Sequence, residues 1–309
     1  MRKKTFFFSV FIFCCFGLIP ATASWALSTS PSPFLALPTE QKYDAKIARL
    51  GQKLFQDVRL SKDNQLSCNS CHINQLNGID SRPKSIGPDN QIGHFNTPSL
   101  YNATLLSKLF WEGKESNIHQ AIHTHIQDST IMAGKWPDIL AALSHDITLS
   151  TEFKNSFTSG ITDHNIVTAL VHYLNAFNYT PSRFDAYLKG NVTAISPEEK
   201  IGLKQFMSLG CHFCHQGKLI GGNLIMPLGV IYPYPDNPNN KKFRVPSLRN
   251  VTKTAPYFHD GSISTLEEAI KIMAKYQTGN DLKDNEIHSI VLFLKTLEST
   301  LIKVPNHEP

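Results

Sequence analysis

Four of the six cysteines in this 309-residue chain fall in two copies of one pattern, Cys68-Asn-Ser-Cys71-His72 and Cys211-His-Phe-Cys214-His215. Two thiols one helical turn apart, followed by histidine, form the attachment signal of c-type haem. The spacing has a mechanical reason. Both thiols can reach the vinyl groups of one porphyrin, and the next residue turns its imidazole under the ring to bind iron. Two structural zinc pairs are the competing reading, which leaves both adjacent histidines without a role. The motifs therefore predict two covalently bound haem c groups, held by Cys68, Cys71, Cys211 and Cys214, with His72 and His215 as iron ligands. The chain must fold around two flat cofactors.

Cys14 and Cys15 lie in a different context. Arg2, Lys3 and Lys4 precede an apolar run from Thr5 to Ile19, followed by the small residues Ala21 and Ala23. The run is shorter than the ~20 residues of a comfortable bilayer span. Residues 1–26 read as a secretory signal peptide, cleaved after Ala23 or Ala26. Ile12 and Phe13 before Cys14 are too large for a lipid-attachment site. A soluble periplasmic protein is expected, which agrees with haem c being attached outside the cytoplasm. The formal charge of +5 contains three leader cations, so the remainder is near +2 (5 − 3). That is too small to indicate nucleic acid, and bulk charge alone does not show an acidic redox partner.

The haem motifs stand 143 positions apart (211 − 68). One haem per domain follows, with an N-terminal domain over 27–190 and a C-terminal domain over 191–309. Apolar stripes at helical spacing occur at Ile47, Leu50, Leu54 and Phe55, at Ile166, Leu170, Leu174 and Phe177 after a Thr162 N-cap, and at Ile287, Ile290, Val291 and Leu294. Ser196, Pro197 and Glu199 form a capping box that opens the helix before the second motif. The fold class is all-α, two cytochrome c-like domains with long irregular loops, above all Gly217 to Lys242 and Asn74 to Pro98. A weak repeat links the halves. Thr97-Pro-Ser-Leu-Tyr-Asn102 echoes Val245-Pro-Ser-Leu-Arg-Asn250, Phe110-Trp-Glu-Gly113 echoes Phe258-His-Asp-Gly261, and Ile118-His-Gln-Ala-Ile122 echoes Leu266-Glu-Glu-Ala-Ile270.

Leu50-Gly-Gln-Lys-Leu-Phe55, Arg59-Leu-Ser61, Ser85-Ile-Gly87, Phe110-Trp-Glu-Gly113, Pro246-Ser-Leu-Arg-Asn250 and Thr254-Ala-Pro-Tyr-Phe-His259 resemble the bacterial di-haem cytochrome c peroxidases and their MauG-type relatives. The resemblance implies peroxide reduction at the N-terminal haem, with electrons entering through a high-potential C-terminal haem. It implies Met273, fourteen residues after His259, as the second ligand of that haem, with Met226 as competitor. It implies Trp111 as the bridge between haems. It also implies a calcium ion held by the Asn96 side chain and the carbonyls of Thr254 and Pro256. Hydrogen peroxide, a small cytochrome c or cupredoxin donor and a homodimer are the implied partners.

The departures from that pattern cluster at the first haem. Pro88 stands where many such peroxidases carry a displaceable histidine, and His94 lies six residues on. Ile131 stands where the family places its acid–base glutamate, and Ala121, beside Gln120, where it places a glutamine. Isoleucine cannot move a proton. The segment instead carries His119, His123 and His125. If Ala121 matches Ala269, His125 matches Met273 and points at the first haem, as an iron ligand or as an acid–base group; a surface histidine is the alternative. The function classes are a periplasmic peroxidase, a MauG-like oxidase of a protein or small substrate, a di-haem electron carrier without peroxide chemistry, and a haem-based sensor.

Overall fold

The computed structural model describes residues 32–39, 41–176, 181–237 and 239–299. The expected leader over 1–26, with Cys14 and Cys15, lies outside the described residues, as does Phe177 of the second apolar stripe. The chain from Pro33 onward is one compact unit. It is helix-rich with little sheet. Among the described residues no helix is long and apolar enough to cross a membrane.

Two helix pairs, each crossing at a glycine, organise the structure. Helix α1 (Ala45–Phe55) starts at Asp44, whose carboxylate accepts from the Lys46 and Ile47 amides. It buries Leu50, Leu54 and Phe55 against α6 (Asp163–Ala176), which Thr162 caps through Oγ1 and the Asn165 amide. A Cβ at Gly51 would strike the Ala169 carbonyl, so the crossing needs glycine. The second pair repeats the first. Helix α8 (Pro197–Ser208) begins at the expected Ser196–Glu199 capping box and crosses α10 (Asp284–Lys295) where a Cβ at Gly202 would strike the Ser289 carbonyl.

Around these crossings lie two apolar cores. The first gathers Leu54, Phe55, Phe153, Ile166, Leu170 and Tyr173, with contributions from α4 (Trp136–Ser144) and α5 (Ile147–Ser156). The second is built on the rings of Phe34, Phe184, Phe206 and Phe293, in contact at 5.2–6.4 Å between centroids. Phe184, from α7 (Arg183–Leu188), and Phe34 both pack in this second core.

The sequence echo is a structural repeat at an offset of 148 (250 − 102). Asn102 and Asn250 are both left-handed, with φ of 59° and 57°. Each opens a short 3-10 turn, over Ala103–Leu105 and Val251–Lys253. Phe110 and Phe258 are left-handed as well, at 62° and 70°. Backbone bridges then join Leu109 to Glu115 and Tyr257 to Ile263. Helix α3 (Ile118–Gln127) and α9 (Leu266–Thr278) follow, capped by Asn117 and Thr265. The Gly217–Lys242 loop is less irregular than its sequence: β1 (Ile225–Pro227) pairs antiparallel with β2 (Lys242–Arg244), Met226 opposite Phe243. Three-residue strands are too short for period-two alternation to show.

One buried ion pair ties distant segments together. Arg249 donates from both terminal nitrogens to Asp185, at 2.6 and 2.9 Å. Both side chains are almost fully buried. The carboxylate also accepts from the Leu37 amide at 2.7 Å and from Ser182. Burial alone would raise the Asp185 carboxyl, but the Arg249 bonds and charge outweigh it and hold it below the usual range. A depressed carboxyl stabilises the fold above its unfolded pKa of 3.8 and loses that contribution as pH falls through the folded value. Asp185→Asn leaves a buried guanidinium unpaired, and denaturant unfolding at neutral pH should show a loss of about 3–5 kcal/mol. The difference from wild type should shrink as pH falls below 3.8.

Candidate active site

Each CxxCH motif is a single turn that brings its thiols together. Helix α2 (Cys68–Cys71) opens at Ser67, whose amide donates to Ser70 Oγ at 3.0 Å. The second motif begins on a 3-10 turn over Cys211–Phe213. In both, the histidine amide donates to the carbonyl of the first cysteine, at 2.9 Å for His72 and 3.0 Å for His215. In both, Nδ1 meets a loop carbonyl: Gly78 at 3.2 Å for His72 and Ile220 at 3.4 Å for His215. A carbonyl only accepts, so Nδ1 carries the proton and Nε2 keeps its lone pair for a metal. Burial holds both imidazoles neutral, His215 pushed down to about 4. All four cysteines are free, and burial pushes the Cys68 thiol up to about 12 and the Cys71 and Cys211 thiols up to about 11.

Each motif lines its own cavity. The first, about 260 Å³, takes Cys68, Cys71, His72, Trp111, His125 and Ile131 into its wall. The second, about 490 Å³, takes Cys211, Cys214, His215, Met226, Met273 and Trp111. Paired thiols, a free imidazole nitrogen and an otherwise largely apolar wall fit one c-type haem on each side.

His125 projects into the first cavity from α3. Its ring centroid lies 6.1 Å from that of His72, with 42° between the planes. Phe110 stacks on it at 6.0 Å, with 18° between the planes. Burial, with His72 nearby, pushes His125 down to about 4, against the opposing charge of Asp128. Its neighbours face elsewhere. His119 stacks on His164, and His123 stacks on Trp136 at 4.9 Å and lies 3.6 Å from Asp163. Ala121 lines the cavity, whereas Gln120 is exposed and donates to Thr124. His94 is exposed at the cavity edge. Pro88 is buried outside the lining.

Met273 is the eighth residue of α9, as His125 is of α3. Met226 reaches the same cavity from β1, so both candidate thioethers line it.

Trp111 and Arg244 belong to both cavity walls. Trp111 is 9% exposed and donates from its indole nitrogen to the Asn96 carbonyl at 2.8 Å. Its own carbonyl accepts from the Arg244 amide at 2.6 Å. The matching bond, Asn96 amide to His259 carbonyl at 2.8 Å, joins the equivalent residues of the repeat. Sequence reasoning missed Arg244 and His259; the offset that relates them to Asn96 and Trp111 was the available signal. The Asn96 side-chain amide donates to the Arg82 carbonyl at 2.8 Å. Thr254 and Pro256 line neither cavity.

A helix-rich chain with two CxxCH cavities sharing a tryptophan wall has the features of a di-haem cytochrome. The family model described as di-haem cytochrome c peroxidase matches residues 45–193. The cytochrome c551 peroxidase of Nitrosomonas europaea is 32% identical over 96% of this chain and 92% of its own length. The cytochrome c peroxidase Ccp of Escherichia coli is 32% identical over 86% of this chain, which spans 61% of that relative's length. The crystal structure of a MauG-like protein associated with microbial copper homeostasis superposes with a TM-score of 0.73 at 25% identity, covering 92% of this chain and 97% of that one. The chain belongs to the di-haem cytochrome c peroxidase family, a class of peroxidase-type oxidoreductases whose cofactors are haems.

Proposed function

We propose that the protein is a periplasmic di-haem c peroxidase, reducing hydrogen peroxide at the first cavity with electrons that enter through the second. The observation that carries this reading is the pair of CxxCH cavities with Trp111 in both walls. When bound, haem supplies the redox-active iron. Cys68 and Cys71 would hold one group and Cys211 and Cys214 the other, with His72 and His215 offering the iron-binding imidazoles. The N-terminal domain, 27–190, carries the peroxidatic site and the C-terminal domain, 191–309, the electron entry. Phe34 and α7 pack in the second core despite their place in the first domain's sequence range. Met273 is preferred over Met226 as the second iron ligand because it holds the helix position that His125 holds in the other half. Thioether ligation favours the reduced state and suits electron entry. The small donor protein is of cytochrome c or cupredoxin type. Calcium at Asn96, Thr254 and Pro256 and a homodimeric assembly belong to the same reading.

Peroxide cleavage needs a group that takes a proton from one oxygen and returns it to the other. Ile131 lines the first cavity and cannot do this. Asp128 is engaged by the Thr130 amide and hydroxyl, at 2.9 and 2.7 Å, and Glu112 pairs with Lys241. His125 is the neutral imidazole facing the site. The 6.1 Å between its ring and that of His72 also favours a second reading. Metal–imidazole bonds are about 2 Å, so two rings sharing one metal stand about 6 Å apart between centroids. Held on the iron, His125 closes the site and the protein is an electron carrier; released, it serves as the acid–base group. A MauG-like oxidase of a protein substrate uses the same residues.

Intact-mass measurement of the periplasmic protein should show two covalent haems, and peroxide should be turned over with reduced cytochrome c. One haem or none overturns the reading; two haems without turnover leave the carrier. Low-temperature electron paramagnetic resonance of His125→Ala should lose a low-spin signal if His125 ligates. It should keep the spin state but lose peroxide reactivity if His125 acts only on protons. Met273→Ala should abolish the near-infrared sulfur-to-iron band, whereas its loss in Met226→Ala instead reassigns the ligand. Trp111→Phe should retain both haems and slow transfer between them, as followed by flash photolysis.

A further inference from the structure

Arg244, at the end of β2, and Arg249 stand five residues apart, and both are buried, at 4% and 7% exposure. Their surroundings differ. Arg249 has Asp185. Arg244 has no carboxylate partner among the described residues. Its Nε donates to the Phe110 carbonyl at 3.1 Å, and its guanidinium carbon lies 6.0 Å from the centre of the Trp111 ring. That accounts for one of the five guanidinium N–H groups. The four on Nη1 and Nη2 reach no protein acceptor among the described residues. Burial depresses the Arg244 group to about 10, with no neighbouring charge to offset it. A buried cation is retained where an anion meets it.

The anion is expected from the contents of the cavities. Arg244 is in the wall of both. On the di-haem reading above, on which this inference rests, each cavity takes a cofactor whose only anionic groups are its two propionates. With Nε engaged, the Nη1–Nη2 edge can take one carboxylate in the bidentate manner that guanidinium favours, and an outer N–H remains to meet a second. The position is fixed from behind: β2 pairs Arg244 with Ile225, its amide is bonded to the Trp111 carbonyl, and its Nε to the Phe110 carbonyl. The side chain is thus anchored to the first half through backbone groups on either side of the Phe110–Trp111 peptide.

We propose that Arg244 is a shared counter-ion, binding one propionate of each haem and holding the two cofactors edge to edge beside Trp111. A cation at that place stabilises the reduced, less positive state of both haems. Its removal lowers both midpoint potentials together. The role is positioning and electrostatic, not contact with peroxide.

The test is a spectroelectrochemical titration of the holoprotein carrying Arg244→Gln, with Arg244→Lys as the charge-retaining control. Thioether attachment keeps the haems in place in either variant, and intact mass verifies that two are present before the potentials are read. Both midpoints should fall in Arg244→Gln and return most of the way in Arg244→Lys. Unchanged potentials in a variant that carries both haems overturn the proposal while leaving the di-haem reading intact. A shift confined to one haem overturns the sharing, and equal shifts in both variants reduce Arg244 to packing. Repeating the wild-type titration in chloride and in phosphate separates the sources of the anion. Potentials that follow added phosphate in wild type, and not in Arg244→Gln, overturn the propionate assignment in favour of a dissolved anion.

Discussion

Two backbone hydrogen bonds fasten the halves of this protein to each other: Asn96 N–H to the His259 carbonyl and Arg244 N–H to the Trp111 carbonyl. They are the same bond made twice, because Asn96 corresponds to Arg244 and Trp111 to His259 in the repeat. The chain therefore contains an interface of the isologous kind, in which each half meets the other through the same patch. Residues near the symmetry centre meet their own counterparts. Phe95 lies edge-on to Phe243 at 6.3 Å, and Trp111 lies 6.5 Å from His259. This reciprocity explains why one tryptophan borders both cavities. Moving either half would break both bonds and separate the cavities.

The equivalence also frames the chemical difference between the two sites. Helices α3 and α9 begin with an amide-capping side chain and present their eighth residue to a cavity. In one half that residue is imidazole, in the other a thioether. The helix position and its cap are shared, and the side chain presented there differs. Ile131 and His125, which lies two residues before the end of α3, belong to the same short segment and line the same cavity.

Much of this was legible in the sequence. The CxxCH turns, the Ser196–Glu199 box, the Thr162 cap and the apolar stripes rest on local rules, and local rules survive folding. The repeat was visible as well, down to the pairing of His125 with Met273. The sequence concealed what depends on distant contacts. Nothing near Arg244 marks it as buried, since its neighbours Lys241 and Lys242 are exposed. His119 and His123 follow the same spacing as surface residues, yet they pack on His164 and Trp136, which arrive from other helices. The strand pairing of Met226 with Phe243 was hidden for a similar reason, because its signal is a partner rather than a pattern.

The Asp185–Arg249 pair has a consequence for the order of assembly. Its carboxylate accepts from Leu37, its guanidinium donates to the Leu35 carbonyl, and Phe34 pairs with Gly217 through a parallel bridge. The stretch 34–37 is among the first parts of this region to be synthesised, yet these partners come from the later half of the chain. Closing so long a loop is slow, and a segment without its partners remains exposed until they exist. The beginning of the folded unit thus gains these contacts only after the segments around Asp185, Gly217 and Arg249 have been made.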